Sequence, residues 1–433
     1  MVRQLNAFIN HTQVGTLAEA NGLWTFTYSA QWLAAAQRYP LCPSLPLRHE
    51  PFVDGASQRH VQWYFDNLLP EEGQRQLIAK AAKIASEDAF GLLAHFGAES
   101  AGSLTLLAPG ELQPAGELSV LADEELSARI RNMPQVPLAQ VARKRMSLAG
   151  AQHKVAIVVA GEQLLEPSGS TASTHILKPD HPSEAYAHSV SNEWFVMTLA
   201  RRVGLNVPQV SRRYVPEPVY LIERFDRRQS AQGWERLHCI DACQLLGLDR
   251  AYKYSAGSIA KLDELGRQCR IPALTRLALY QWLLFNVLVG NTDAHLKNLS
   301  FMMKPNGVAL APFYDLLSTA VYDTRSFDKE RWPQAVELAW PIGDEARIAH
   351  LTRAHLIAAG EALGIKPATA QSQLDKLRQS VMQAALALQQ QVEQENRDLA
   401  QHRPELRATL AGEQRCLRAI VSIVIAEMGS QLA

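Results

Sequence analysis

Cysteine is scarce in this chain: 433 residues hold five, Cys42, Cys239, Cys243, Cys269 and Cys416. So few thiols, odd in number, exclude a disulfide framework and fit reduced side chains in a cytoplasmic protein. Cys239 and Cys243 are spaced to share one helical face, but no further soft ligands flank them. They are expected to pack as half-buried small side chains rather than to hold zinc. A surplus of either charge is missing too, since Lys plus Arg and Asp plus Glu number 43 each. No global field then draws the chain to DNA or to an anionic membrane, and any nucleic-acid contact must be local or made through a partner. The opening residues MVRQLNAFINHTQVG lack the basic and apolar regions of a secretory leader, and no apolar run approaches transmembrane length. The length allows two or three domains and a substantial core.

What is present centres on residues 274–315. Residues 274–289 are apolar on nearly all sides, as in a helix buried within a lobe. Gly290 and Asn291 are helix-stop residues, so 292–298 should begin as a polar loop. Residues 299–303 and 308–313 read as short strands, and Pro305, Asn306 and Gly307 between them signal a hairpin turn. Asp315 follows. This layout sets Asp293 and Asn298 at the mouth of the hairpin and can bring Asp315 back beside them. Phosphoryl transfer needs such a set: a carboxylate to orient the attacking hydroxyl and take its proton, and hard oxygen ligands to hold Mg²⁺ against phosphates. The protein-kinase loop H-R-D-x-x-x-x-N uses Asp as base and Asn as metal ligand. Asp293 and Asn298 keep that spacing, although His-Arg is absent before Asp293 and Phe313-Tyr314-Asp315 stands where a kinase has Asp-Phe-Gly. Taken alone, so short a pattern reads as a capped helix followed by a solvated polar turn. The buried helix before it and the hairpin ending in Asp after it favour the kinase reading.

Taken in order, residues 1–107 read as a compact α/β module, with strands at 5–9, 14–17, 23–28 and 103–107 and helices at 58–69 and 75–85. Its aromatic patch, 63–69, has core packing as its default meaning. Residues 108–140 carry scattered Pro and Gly and read as a connector with one or two short helices. Next comes Arg143-Lys144-Arg145-Met146-Ser147-Leu148-Ala149-Gly150-Ala151-Gln152-His153-Lys154, leading into a strand at 155–160. Small residues before a strand let backbone N–H groups approach phosphates, and Lys154 adds a charge. With a single glycine the loop, taken alone, reads as a basic surface turn entering a strand. Ser147 beside three cations also suits phosphorylation.

Residues 174–177 read as a strand presenting Lys178 as a kinase presents its phosphate-holding lysine. Glu193, early in a helix over 192–203, is placed to pair with that lysine, or simply to favour the helix dipole. Residues 220–226 form a strand breaking into polar residues, able to offer backbone groups to an adenine edge. Beyond residue 227 the chain should be mainly helical. Leu374, Leu377, Val381, Ala384 and Leu388 make a heptad-like stripe that then decays, and 416–428 is a closing apolar helix. The segment 325–340 lies where a kinase has its activation and docking region.

These stretches together resemble the HipA family, the serine/threonine kinase toxins of bacterial toxin–antitoxin modules. The resemblance is carried by FDNLLPE, SLAGAQHK, ILKPD, NEW with LARRVGLNVP, ERFDRR, NTDAHLKN and FYDL, in that order and through almost the whole chain. It implies an α/β (α+β) chain with a two-lobed protein-kinase-like fold. Residues 1–107 would be the extra N-terminal subdomain, 108–140 the connector, 141–227 the kinase-like N-lobe and 228–433 the helical C-lobe. Carried over by position, Asp293 would be the catalytic base, Asn298 and Asp315 the Mg²⁺ ligands, and Lys178 the residue holding the ATP phosphates. Glu223, Arg224 and Phe225 would contact adenine, and His295 and Tyr314 would line the nucleotide site. Ala149, Gly150, Ala151, Gln152, His153 and Lys154 would cover the phosphates, and Ser147 would be the autophosphorylated serine whose modification silences the kinase. The implied partners are a dimeric helix-turn-helix antitoxin, HipB, operator DNA reached mainly through it, and a protein substrate such as an aminoacyl-tRNA synthetase. The implied location is the bacterial cytoplasm, at the nucleoid when complexed, with no membrane contact. Two other readings stay open: a small-molecule kinase, and a non-catalytic nucleotide-binding corepressor.

Overall fold

The computed structural model describes residues 2–97, 102–113, 115–133, 138, 152–231 and 233–433. Ser147, Ala149, Gly150 and Ala151 lie outside these. The chain divides into two compact units, one comprising Met1–Lys178, Leu221–Lys253 and Ser300–Ala311, the other Pro179–Tyr220, Tyr254–Leu299 and Pro312–Ala433.

The first unit opens with β1 (Arg3–Ile9), β2 (Thr12–Ala20), β3 (Leu23–Tyr28), β4 (Phe52–Val53) and β5 (Leu104–Leu107), in the sheet order β4-β3-β2-β1-β5. Strand alternation buries Leu5, Ala7 and Ile9 from β1, and Trp24, Phe26 and Tyr28 from β3, on a single face. Helices His60–Asp66 and Ala89–Phe96 cover that face, with Phe65 5.6 Å from Phe26 and Phe90 5.2 Å from Trp24 between ring centroids. Burying each such side chain stabilises by about 1.5–3 kcal/mol. The aromatic patch 63–69 is therefore core, as its composition predicts.

A second sheet holds β6 (Glu117–Val120), β7 (Val155–Ala160), β8 (Gln163–Ser168) and β9 (His175–Pro179) in the order β6-β8-β7-β9, with strand Pro218–Glu223 beyond β9. The connector expected to carry only short helices thus contributes β6, an edge strand exposed at all four residues, as well as helix Asp123–Arg131. A third, three-stranded sheet orders Cys239–Asp241, Ser300–Lys304 and Gly307–Leu310. The expected hairpin is there, closing from Lys304 to Gly307, whose φ of +113° is open to glycine. Cys239 and Cys243 do not share a helix: Cys239 pairs with Met302 across that sheet, while Cys243 sits in helix Ala242–Leu246. Burial pushes the Cys239 thiol up.

The second unit is mainly helical. The buried helix expected at 274–289 is Pro272–Leu288, with proline in its first turn and Leu279, Tyr280, Trp282 and Phe285 among its buried residues. The heptad stripe does not decay. It continues along a 36-residue helix, Pro367–His402, burying Ala370, Leu374, Leu377, Val381, Ala385, Leu388, Val392 and Asn396. Ala385 takes the place expected of Ala384, because a 4-3-4 spacing, near 3.67 residues per turn, follows a straight helix more closely than a strict heptad. The closing apolar helix is interrupted: Arg407–Ala419 runs into a π-helical turn, Ile420–Ile425, before Ala426–Gln431. No helix among the described residues is long and apolar enough to cross a membrane.

Candidate active site

In the second unit, the polar run after helix Pro272–Leu288 is a fixed turn. Asn291 is its junction. The Asn291 side chain accepts the Asp293 N–H at 3.2 Å through Oδ1, and its Nδ2 donates to Asn286 Oδ1 at 2.7 Å and to the Asp315 carbonyl at 3.3 Å. One buried amide therefore ties the helix, the backbone of Asp293 and the backbone of Asp315 together. The Asp293 carbonyl accepts from His295 N at 2.8 Å and from Asn298 Nδ2 at 3.1 Å. Tyr314 donates its hydroxyl to the Lys297 carbonyl at 2.8 Å. Asp293, His295, Asn298, Tyr314 and Asp315 are thus brought together, as the sequence predicts. Asp293 is exposed, Asn298 and His295 are buried, and Asp315 is half-buried with φ of +53°. For a non-glycine residue that backbone is strained, and such strain clusters at functional positions.

Residues after Asp315 are held as firmly. Thr319 Oγ1 accepts the Thr292 N–H at 2.6 Å, and the Gly290 carbonyl accepts from Ala320 N at 2.9 Å. Helix Ser189–Arg202 supplies Asn192, whose Oδ1 accepts the Ser318 N–H at 2.8 Å while its Nδ2 donates to the Ser318 carbonyl at 2.8 Å and to Tyr322 Oη at 3.1 Å. The same helix carries buried Glu193. At its first turn the Asp180 carboxylate accepts from Val190 N at 2.8 Å, and burial raises that carboxyl to about 6. Tyr220 lies beside Glu193 and Asp315, and its phenol is pushed well up by burial and then by those two carboxylates. Asn192 and Asn291 fall within NEW and NTDAHLKN, and Tyr220 opens the strand expected at 220–226, yet their partners, like those of Thr319, carry no signal until the fold pairs them.

The first unit holds the remaining expected residues. Lys178 is buried in β9, next to Leu177, which pairs with Val155 of β7. His153 is buried, and Gln152 and Lys154 are half-buried, just ahead of β7. Glu223 is exposed and Phe225 half-buried. Arg224 turns inward: its Nε and Nη2 donate to Asp226 at 2.9 and 2.7 Å, its Nη1 to Ser173 Oγ at 3.0 Å, and its backbone N–H to the Thr174 carbonyl at 2.9 Å. Arg227 reaches the same carboxylate at 3.0 Å. Burial favours the neutral Asp226 carboxyl, but the two guanidiniums outweigh it and hold the group down at about 2.

Among the described residues no three His, Cys, Asp or Glu side chains group as a metal cage. Magnesium seldom uses one; it binds one or two protein oxygens together with substrate phosphates. The donor set here fits that habit. Because Asn298 gives its Nδ2 to the Asp293 carbonyl, its Oδ1 is the side-chain atom that could meet a cation, and Asp315 could add a carboxylate.

Residues 146–385 match the HipA-like C-terminal domain and residues 5–107 the HipA N-terminal domain. A putative kinase of Sinorhizobium fredii is 39% identical over 336 residues, which cover 74% of this chain and 78% of that protein. The serine/threonine-protein kinase toxin HipA of Shewanella oneidensis is 31% identical over 376 residues, 82% of each chain. Among solved structures, a chain in the Shewanella oneidensis complex of HipA, HipB and operator DNA superposes with a TM-score of 0.78 at 26% identity, covering 98% of this chain and 96% of that one.

Proposed function

This chain belongs to the HipA family of kinases, and on that premise we propose that it transfers the γ-phosphoryl group of Mg·ATP to a serine or threonine of a protein. The observation that carries this reading is the junction at Asn291, which fixes Asp293 and Asp315 relative to one helix end and leaves the Asp293 carboxylate exposed. On this reading Asp293 receives the proton of the acceptor hydroxyl as its oxygen bonds to the γ-phosphorus and ADP leaves. Asn298 and Asp315 would hold magnesium, which when bound offsets negative charge on the phosphate oxygens. Lys178 holds phosphates, with Gln152, His153 and Lys154 and the preceding Ala149, Gly150 and Ala151 covering them. Glu223 to Phe225 meet adenine through their backbone, since the Arg224 guanidinium is already committed to Asp226, and His295 and Tyr314 flank the nucleotide.

The physiological role we propose is that of a toxin restrained by a HipB-like helix-turn-helix antitoxin dimer and acting with it as corepressor on operator DNA. The balanced net charge of the chain supports contact with DNA chiefly through that partner. Its substrate is a translation protein such as an aminoacyl-tRNA synthetase, its effect growth arrest and persistence, its place the bacterial cytoplasm, and its own brake autophosphorylation at Ser147. The test is intact-protein mass spectrometry of the wild-type chain and its Asp293→Ala form after incubation with Mg·ATP, followed by peptide mapping. One added phosphate on the Ser147 peptide, absent from Asp293→Ala, is the expected result. No added phosphate on either form removes the self-silencing step, and transfer to a small metabolite in place of protein would reassign the acceptor.

A further inference from the structure

One polar contact at the proposed base belongs to no motif. Tyr254 lies 39 residues before Asp293 in the sequence, yet its Oη donates a hydrogen bond to Asp293 Oδ1 at 2.7 Å. The phenol is well placed to hold that geometry. Its ring meets the His295 ring edge-on, with centroids 5.1 Å apart, and His295 is itself buried. The turn that carries it is closed by the Gly257 N–H bonding the Tyr254 carbonyl at 2.9 Å. Gly257 in turn lies flat on Trp340, so close that a β-carbon there would stand 2.1 Å from the indole. Trp340 packs on Trp282 of the buried helix, 6.0 Å between centroids. The tyrosine therefore reaches Asp293 from a turn seated on two buried indoles, although the residue itself is 40% exposed.

A carboxylate presents two equivalent oxygens on a side chain that rotates freely at a surface, and only one oxygen can take the acceptor proton. A neutral phenol can only donate to an ionised carboxylate, and such charge-assisted bonds are short and strong. We propose that Tyr254 is a positioning residue for phosphoryl transfer: it pins Oδ1 of Asp293, so that Oδ2 is the oxygen presented to the acceptor hydroxyl. The inference rests on Asp293 acting as base and adds the residue that sets its rotamer.

The experiment measures the initial rate of phosphate incorporation into the full chain by intact mass at several Mg·ATP concentrations. It compares wild type, Tyr254→Phe, Tyr254→Ala, Tyr252→Phe, Asp293→Ala, and Tyr254→Phe combined with Asp293→Ala. Tyr254→Phe keeps the ring against His295 and removes only the hydroxyl. It should lower the maximal rate roughly 10-fold, with the half-saturating ATP concentration unchanged. Tyr252→Phe, at a neighbouring tyrosine that is 51% exposed, should match wild type. In the Asp293→Ala background the Tyr254→Phe change should add nothing, because its effect runs through that carboxylate. A wild-type rate for Tyr254→Phe, or an equal further loss without Asp293, would overturn the assignment, the latter by showing a structural role. Phosphate recovered on Tyr254 itself would overturn it as well, by making the phenol an acceptor. If the wild-type chain takes up no phosphate, the same proteins are compared by ADP release from Mg·ATP, and a wild type that releases none removes the kinase reading itself and this inference with it.

Discussion

Residues 223–227 and residues 291–298 are both short polar runs that follow an apolar element, and each carries one aspartate. They use it in opposite ways. In the first, Arg224, Asp226 and Arg227 are all buried and their charges are turned on each other and on Ser173. In the second, the side-chain amides of Asn291 and Asn298 bond backbone, while the Asp293 carboxylate stays exposed with a single phenol on one oxygen. One run employs charge to fix a strand end. The other employs neutral groups to fix the backbone and leaves the carboxylate of its aspartate at the surface. The difference teaches where to look for chemistry: a charged side chain satisfied by its own neighbours is structural, and one held in place from beneath is available.

That contrast can be broken by substitution, and the expected effects fall in a clear order. Asp293→Ala should lower the rate of phosphate transfer by about 10²–10⁴, read by mass spectrometry or ADP release. It should leave the denaturant midpoint nearly unmoved, since an exposed surface change stays within about 0.5 kcal/mol. Asp226→Ala should do the reverse in kind. It strands two buried guanidiniums and should cost about 3–5 kcal/mol of stability in chemical denaturation. Asn192→Ala should fall between, leaving the Ser318 N–H and carbonyl without partners at about 1–3 kcal/mol each and slowing phosphate transfer by loosening the segment after Asp315. The pH dependence of the first unit sharpens the same point. The folded Asp226 carboxyl, near 2, lies below its ordinary value, so its contribution is full above about pH 4 and is lost as pH falls through about 2. That loss is about 2 kcal/mol and should vanish in the Asp226→Ala protein. At the bottom of the order, Arg228→Ala removes an exposed bond to Glu235 and should change stability by at most about 1 kcal/mol.

Much of this was legible before any coordinates. The strand at 155–160 has the expected limits, the buried helix differs by a residue or two at each end, and the hairpin turn falls on Pro305 and Asn306. Those elements carry strong local signals: continuous apolar runs, a helix-stop Gly-Asn, and a turn peptide. The polar set at 293–315 was legible for a related reason, since its members are close in sequence and their spacing is their geometry. What escaped has its cause in distance. Tyr254, Asn192 and Thr319 act through partners 39, 126 and 27 residues away, and although Asn192 falls within NEW, nothing local gives any of them its partner. The helix Pro367–His402 was underestimated because Gln and Glu crowd its second half, hiding that one residue per turn stays buried. The edge strand Glu117–Val120 was missed because all four of its residues are exposed, so no alternation of burial marks it.

The π-helical turn near the chain's end bears on how this protein comes into being. Gly290, with φ of +66°, begins the turn that holds Asp293, and a β-carbon on it would stand 2.5 Å from Cγ1 of Val424 and 3.0 Å from the β-carbon of Ala320. Val424 is thus the floor beneath the turn, although the ribosome adds it 131 residues after Asp293. A nascent chain that has already released Asp293, Asn298, Asp315 and its buried helix still lacks that floor. The turn that holds Asp293 therefore completes its packing only after residue 424 has been made and has left the ribosome. A chain stopped between Leu316 and Ile420 keeps every motif but lacks this packing, and it should release ADP from Mg·ATP more slowly than the full chain.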